Sequence, residues 1–158
     1  MVHQCEKASV RIEYNKSACV DNVQTFNPEV VIVATGAYPY IPSIPGINKK
    51  NVWSFNNIIT EEIKLKNKRI VIIGGGLIGT EIAMFLSAKG NIIILVEILS
   101  ELAINMDPFN RAYLLNKIRE WDVTILTNTK AVEIKDSGVV CLNKGQKTSL
   151  IECDDVVI

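Results

Sequence analysis

The sequence predicts an α/β protein with a Rossmann-like, three-layer arrangement, in which a parallel sheet is joined by a β-meander. Residues 69–73 form an apolar, β-branched run that enters a G-x-G-x-x-G motif, and apolar residues at helical spacing follow as far as residue 89. A second apolar run, residues 92–97, completes a strand-turn-helix-strand unit. Two β-rich runs around the turn residues 136–138 predict an antiparallel hairpin of the meander.

The glycines of the motif predict a phosphate-binding turn. Gly74 lets the chain turn without a clash at Cβ, Gly76 lets the backbone approach a pyrophosphate, and Gly79 lets the helix lie close to the strand. The free N–H groups and the positive dipole end of that helix would receive the phosphates. A glycine turn with a purely structural role is the alternative interpretation.

The residue that ends the second strand predicts the type of nucleotide. Glu97 follows the motif by roughly 20 residues, where a carboxylate can accept a hydrogen bond from a ribose hydroxyl. The same charge would repel the 2′-phosphate of NADP, and residues 98–101 contain no arginine to offset it. The expected ligand is therefore NAD(H).

Composition argues against several other classes of protein. The 158 residues suffice for one α/β domain, and 17 basic residues balance 17 acidic ones, so no nucleic-acid or anionic-membrane surface is expected. No apolar run approaches the ~20 residues of a membrane span and no signal sequence is evident, which favours a cytoplasmic location. The four cysteines form no C-x-x-C pair, so neither a metal site nor a redox disulfide is predicted from them: Cys5, Cys19, Cys141 and Cys153. The single histidine, His3, is not expected to be a general base.

Two strands are predicted before the glycine motif. Residues 10–14 alternate like a strand with one buried face, and residues 30–33 form the continuous β-branched run typical of buried parallel strands. The end of a helix is expected at residues 4–9, a polar stretch at residues 15–27, and a proline-rich linker at residues 38–46.

Further elements flank the glycine unit. Residues 52–53, a short helix near residues 56–63 and an exposed basic loop at residues 64–68 are expected to form the connection before it. After it, Asp107 and Pro108 predict the N-cap and first residue of a helix that runs to about residue 120. The candidates for the apolar face of that helix are Phe109, Ala112, Tyr113, Leu115 and Ile118.

The last third of the chain is predicted to be β-rich. A strand is expected at residues 123–126, the three meander strands at 131–135, 139–142 and 148–151, and a last buried strand at 154–158.

Two pairs of segments resemble each other within the chain. Residues 10–16 are similar to 123–129, and residues 28–33 are similar to 153–158. This similarity suggests the tail of one dinucleotide-binding unit followed by nearly all of a second, although short β-branched strands also resemble one another by chance.

With these motifs, the chain resembles the NAD-binding region of the pyridine nucleotide-disulfide oxidoreductase superfamily. Within it, the NADH:flavin oxidoreductase group, which includes 2-enoate and 2,4-dienoyl-CoA reductases, is the better match. The segments that carry the resemblance are residues 26–37, 44–47, 74–81 and the pair Asn110-Arg111. It implies that residues 1–46 are the tail of an interrupted flavin-binding domain plus a linker, and that residues 47–158 are the NAD(H)-binding domain.

The resemblance also implies a set of cofactor-binding residues: Gly36, Gly74, Gly75, Gly76, Leu77, Ile78, Gly79, Glu81, Val96, Glu97, Ile98, Ala131 and Val132. Glu81 would lie near the nicotinamide, although a first-turn glutamate that complements the helix dipole is an equal alternative. Ala131 and Val132 would cover one side of the adenine, or they are ordinary strand residues. No catalytic residue is expected in this chain.

The resemblance implies an enzyme only at full length. The parent would carry FAD, FMN and a 4Fe–4S cluster and pass hydride from NADH to flavin to reduce an activated C=C bond. This chain lacks an earlier FAD fingerprint and cluster cysteines, so a fragment that is inactive alone is expected. Its partners would be NADH and the flavin domain of the same parent chain. A second copy could also pair with it through the predicted strands at residues 10–14 and 30–33, which would lack their neighbours from the flavin domain. The alternative is a self-standing NAD-binding or redox-sensing module without catalysis.

Overall fold

The computed structural model describes residues 2–36 and 38–158. These divide into two compact units, the first within Met1–Tyr38 and the second spanning Pro39–Ile158. None of the helices in the described residues has the length and apolar character needed to cross a membrane.

The first unit contains two short helices, α1 (Val2–Lys7) and α2 (Val20–Phe26). The two strands predicted at residues 10–14 and 30–33 are wrong, because both segments are irregular and exposed to solvent. A β-branched run becomes a strand only where a neighbouring strand supplies hydrogen bonds, and the described residues provide no such neighbour for either run. Helix α2, which falls in the predicted polar stretch, ends at Asn27 with a left-handed φ of 48°.

The second unit contains a five-stranded parallel sheet and a three-stranded antiparallel sheet. In chain order its elements are β1 (Val52–Trp53), α3 (Phe55–Ile59), β2 (Arg69–Ile73), α4 (Leu77–Ser87), β3 (Ile92–Val96), α5 (Pro108–Ile118), β4 (Val123–Leu126), β5 (Thr129–Lys135), β6 (Gly138–Asn143), β7 (Thr148–Glu152) and β8 (Asp155–Val157). The parallel sheet has the order β1-β8-β2-β3-β4, and the meander has the order β5-β6-β7. The predicted three-layer, Rossmann-like fold is confirmed.

Two cores lie on opposite faces of the parallel sheet. Side chains alternate along each strand, so Ile70 and Ile72 of β2 pack with α3, α4 and α5, whereas Val71 packs with the meander. In β8, Val157 packs in the core on the helix side and Val156 in the core on the meander side. The last predicted strand therefore lies inside the sheet, between β1 and β2.

Helix α5 begins as predicted but buries only part of the predicted apolar face. The Asp107 side chain accepts hydrogen bonds from the backbone N–H groups of residues 109 and 110, and the bond from residue 110 holds the pKa of Asp107 below its usual value. Of the predicted face, Phe109, Ala112 and Tyr113 are exposed, whereas Ile118 is buried in the core and Leu115 packs against that core. Leu114, which lies outside the predicted set, is also buried. The apolar residues of this helix allow two overlapping stripes, and packing against α4 and the sheet selects the one that contains Leu114.

The predicted linker is irregular, and its last residues pack against the meander. The backbone N–H of Ile134 donates to the carbonyl of Pro45, and Ile44 and Ile47 pack on the core beneath the meander. Gly46 has a φ of +89°, and a Cβ at this residue would lie 2.1 Å from the carbonyl oxygen of Ile134. The domain boundary at residues 46/47 stays a prediction, and the second compact unit begins earlier, at Pro39. Helix α3 is shorter than predicted, ending at Ile59.

Candidate nucleotide-binding site

The glycine loop connects β2 to α4 at the carboxyl edge of the parallel sheet. Gly74 has a φ of +109°, which a residue with a Cβ rarely adopts, and its N–H donates to the carbonyl of Val96. Gly76 is the N-cap of α4, with φ −68° and ψ −173°. The loop therefore turns between two neighbouring strands, at the position where ligands bind in open α/β sheets.

The surroundings of the motif glycines differ. A Cβ at Gly79 would lie 1.9 Å from the carbonyl oxygen of Gly74, and one at Gly75 would lie 2.3 Å from a methyl group of Leu102. A Cβ at Gly76 would meet no atom within 4 Å. Gly75 and Gly79 are thus enclosed by the fold, while the space beside Gly76 is open to a ligand.

The N-terminus of α4 suits an anion. The first N–H groups of a helix have no intrahelical acceptor, and the N-cap Gly76 has no side chain that could replace one. These donors and the positive end of the helix dipole face the open space beside Gly76. A pyrophosphate fits this arrangement.

Glu97 directly follows β3 and is buried, with 7% of its surface exposed. One carboxylate oxygen accepts from the backbone N–H of Gly75 at 2.6 Å, and the other accepts from the N–H of Leu99 at 2.7 Å. The carboxylate therefore joins the glycine loop to the connection between β3 and α5.

That connection, residues 97–107, is held at several points. The backbone N–H of Ala103 donates to the carbonyl of Gly75 at 2.8 Å, and Ala103 itself has a positive φ of 49°. Arg111 of α5 donates to the carbonyl of Leu102 at 2.9 Å and pairs with Glu101 at 2.6 Å. Sequence reasoning missed these contacts, and the only signal that touched them was the Asn110-Arg111 pair in the family resemblance.

Glu97 lines two cavities. One, of about 400 Å³, is lined by the glycine loop and by Glu101 and Ala103 in the β3–α5 connection. The other, of about 520 Å³, lies over the ends of β2, β3 and β8 and includes Ile98 and Ala131. Both cavities border the glycine loop, so an extended ligand can cross the loop between them.

Most of the predicted site residues lie along these two cavities: Gly74, Gly75, Gly76, Leu77, Val96, Glu97, Ile98 and Ala131. Gly79 packs beneath the loop, and Val132 is half-buried at a bulge of β5. Ile78 and Glu81 instead line a third cavity, of about 300 Å³, with Ile59, Ile82 and Phe85. Gly36 belongs to the first unit, and its part in the site stays a prediction.

Cys141 and Cys153 do not line any of these three cavities. Cys141 of β6 and Cys153 are free thiols buried in the core between the meander and the parallel sheet, and burial raises the pKa of each to about 11. Cys19 is exposed and Cys5 is half-buried, both as free thiols. Within residues 2–36 and 38–158, no three His, Cys, Asp or Glu side chains cluster in a way that could hold a metal ion.

A parallel sheet with helices on one face, a meander on the other and a glycine loop at its carboxyl edge defines a Rossmann-like dinucleotide-binding protein. Comparison with known families specifies it further. Residues 2–158 match the family described as pyridine nucleotide-disulphide oxidoreductase, and the chain belongs to that family.

Two curated proteins and one solved structure are about 30% identical to this chain over the aligned residues. An NADH oxidase of Thermoanaerobacter brockii is 30% identical over 98% of the chain, and a cinnamate reductase of Clostridium sporogenes is 29% identical over 94% of it. The structure of a 2-naphthoyl-CoA reductase bound to 2-naphthoyl-CoA covers 99% of the chain with a TM-score of 0.78 and 29% identity. The chain spans only 24%, 22% and 24% of these three proteins, respectively.

Proposed function

We propose that this chain is the NADH-binding part of a flavin-dependent oxidoreductase. The observation that carries the proposal is the open glycine loop at the start of α4, with the carboxylate of Glu97 directly beside it. When bound, NADH would supply a hydride, and a flavin is the acceptor that the family resemblance implies.

The pyrophosphate and the adenosine half of the dinucleotide have counterparts among the residues of the site. The pyrophosphate would accept hydrogen bonds from the N–H groups at the start of α4, since Gly76 leaves room for close approach. A carboxylate has about four acceptor positions, so the oxygens of Glu97 can accept from ribose hydroxyls while they keep their two backbone donors. Ile98 and Ala131 would flank the adenine. Contact of Glu81 with the nicotinamide is a further part of this proposal.

The charges around the site favour NADH over NADPH. Glu97 and Glu101 both line the cavity of about 400 Å³, and no Lys or Arg is among its lining residues in the described part of the chain. The guanidinium of Arg111 is already paired with Glu101. Lys130 borders the other cavity and does not line this one. A 2′-phosphate in this cavity would therefore meet the negative charge of Glu97, and Arg111 would offset little of it because its own charge is balanced by Glu101.

For the whole protein, we propose reduction of an activated C=C bond of the enoate or dienoyl type. Similarity to a cinnamate reductase and a 2-naphthoyl-CoA reductase supports this substrate class. A flavin domain of the same parent chain would be the partner, with FAD, FMN and a 4Fe–4S cluster as the parent's cofactors. A cytoplasmic location and the alternative pairing of two copies stay predictions.

Isothermal titration calorimetry with NADH and NADPH tests the binding proposal. We expect NADH to bind and NADPH to bind at least about tenfold more weakly, a difference of about 1.4 kcal/mol. Equal affinities would contradict the assignment of Glu97 to the ribose, and absence of NADH binding would contradict the proposed function itself.

A second measurement tests the proposed division of labour within the parent. We expect the purified chain to stay colourless after addition of FAD and to show neither NADH oxidase nor enoate reductase activity. A yellow, active monomer would show instead that the chain is a flavoenzyme on its own, and light scattering would give its mass.

A further inference from the structure

The carboxylate of Glu97 makes both of its described hydrogen bonds to backbone groups. The Gly75 N–H lies 2.6 Å from one oxygen, and the Leu99 N–H lies 2.7 Å from the other. Because the group is buried, these charge-assisted bonds contribute to the geometry of the loop whether or not a nucleotide is present.

The Gly75 residue is held from its other side as well. Its carbonyl accepts from the backbone N–H of Ala103 at 2.8 Å and from the hydroxyl of Thr80 at 3.3 Å. Thr80 is fully buried, and its one O–H lies closer to the Gly76 carbonyl, at 2.8 Å, so the contact with Gly75 is the weaker branch of a shared hydrogen bond. A methyl group of Leu102 also packs against the Cα of Gly75. Gly75 is therefore held by hydrogen bonds at its N–H and its carbonyl and by packing at its Cα.

This restraint determines the direction of a potential phosphate donor. A trans peptide is planar, and its C=O and N–H point in opposite directions. Because the Gly75 carbonyl is directed toward Ala103 and Thr80, the N–H of Gly76 in the same peptide is directed away from them. The open space at Gly76 lets a ligand reach the loop.

We propose that Glu97 is a positioning residue for the phosphate-binding loop, in addition to its role as a ribose acceptor. The proposal rests on the proposed function, because it concerns how the same site binds a nucleotide. Glu97→Gln would place an amide N–H₂ against the N–H of Gly75 or of Leu99, so one backbone donor would lose its acceptor. Replacing Glu97 should therefore weaken NADH binding without creating a site for NADPH.

Nucleotides with and without ribose hydroxyls separate the two roles. The ligands are ADP and 2′,3′-dideoxy-ADP, titrated into the wild type, Glu97→Gln and the matched control Glu152→Gln, whose exposed glutamate lies on β7. We expect Glu97→Gln to weaken both ligands by at least about tenfold, the loss typical of one charge-assisted hydrogen bond. Weaker ADP binding with unchanged 2′,3′-dideoxy-ADP binding would overturn the proposal and leave only the ribose role.

Amide hydrogen exchange provides a readout that needs no ligand. In Glu97→Gln, exchange at Gly75 and Leu99 should increase at least about tenfold while Val71 and Ile72 on β2 stay protected. Unchanged exchange at Gly75 and Leu99 would overturn the positioning role of Glu97, whether or not the wild type binds a nucleotide. Absence of nucleotide binding by the wild type would contradict the proposed function instead. If Glu97→Gln does not fold, Glu97→Asp takes its place in the experiment. Its side chain keeps the charge but is one methylene shorter, so exchange at Gly75 and Leu99 should increase in the same way.

Discussion

Gly76→Val separates nucleotide binding from folding at the glycine loop. Gly76 has φ −68° and ψ −173°, a conformation open to any L-residue, and a Cβ there would meet no protein atom within 4 Å. The added side chain would instead occupy the space through which a pyrophosphate must approach the start of α4. Stability should therefore change little while binding is lost.

The expected magnitudes follow from the donors that would be covered. A hydrogen bond to a charged group contributes about 1.5–3 kcal/mol, so blocking two N–H groups at the start of α4 would cost about 3–6 kcal/mol of binding. This corresponds to a loss of roughly 10²–10⁴ in NADH affinity. For folding, the lower entropy of the unfolded chain adds about 0.4–1 kcal/mol, and the poorer N-cap removes a similar amount. Tm should thus shift by less than about 4 °C.

Circular dichroism melts and titration calorimetry measure the two effects in the same samples. Gly145→Val is the matched control, because Gly145 lies in the turn between β6 and β7 and its Cβ would meet only the Asn143 side chain, at 3.4 Å. This control should bind NADH like the wild type. A folded Gly76→Val protein that binds NADH with wild-type affinity would refute the assignment of the pyrophosphate to this loop.

Three further predictions concern the fold. Gly79→Ala should destabilise the protein by about 3 kcal/mol and lower Tm by about 6–12 °C in a thermal melt, because its Cβ would lie 1.9 Å from a backbone carbonyl oxygen of the glycine loop. Iodoacetamide at pH 8, followed by mass spectrometry, should label the exposed Cys19 but not the buried Cys141 or Cys153. Each buried thiol has a pKa of about 11, so only about 0.1% of it is thiolate at that pH. Rapid labelling of Cys141 or Cys153 would contradict their burial. Asp107→Ala should lower Tm at neutral pH, and the difference in Tm from the wild type should disappear as pH falls below about 4. The pKa of Asp107 is lower in the folded protein than in the unfolded chain, so its carboxylate stabilises the fold above the unfolded pKa and stops doing so when it is protonated.

Local chemistry was enough to predict the glycine unit and the start of α5. The turn requires a positive φ at Gly74 and close approach at Gly79, and both requirements are visible in the residue types alone. Asp107 followed by Pro108 likewise specifies a helix start through contacts within three residues. Such features could be predicted because the atoms that satisfy them are near neighbours in sequence.

The strand predictions before residue 40 failed for the opposite reason. The run at residues 30–33 has the composition of a buried strand, yet its side chains are more than half exposed and it pairs with no strand among the described residues. The similar run at residues 154–158 does form β8, because β1 and β2 lie on either side of it. Composition states only that a segment can be a strand, whereas partners distant in sequence decide whether it becomes one.

The same distinction holds at the candidate site. The sequence alone determined the glycine loop and the acid at the end of β3, and on these it predicted NAD(H) as the ligand. Only the tertiary structure decided that Glu97 accepts from Gly75 and Leu99, that Ala103 and Thr80 hold the Gly75 carbonyl, and that Arg111 is paired with Glu101. These contacts join residues up to 28 positions apart through a loop with no periodic pattern. Their partners are chosen by how the chain packs around the loop, which residue types by themselves do not specify.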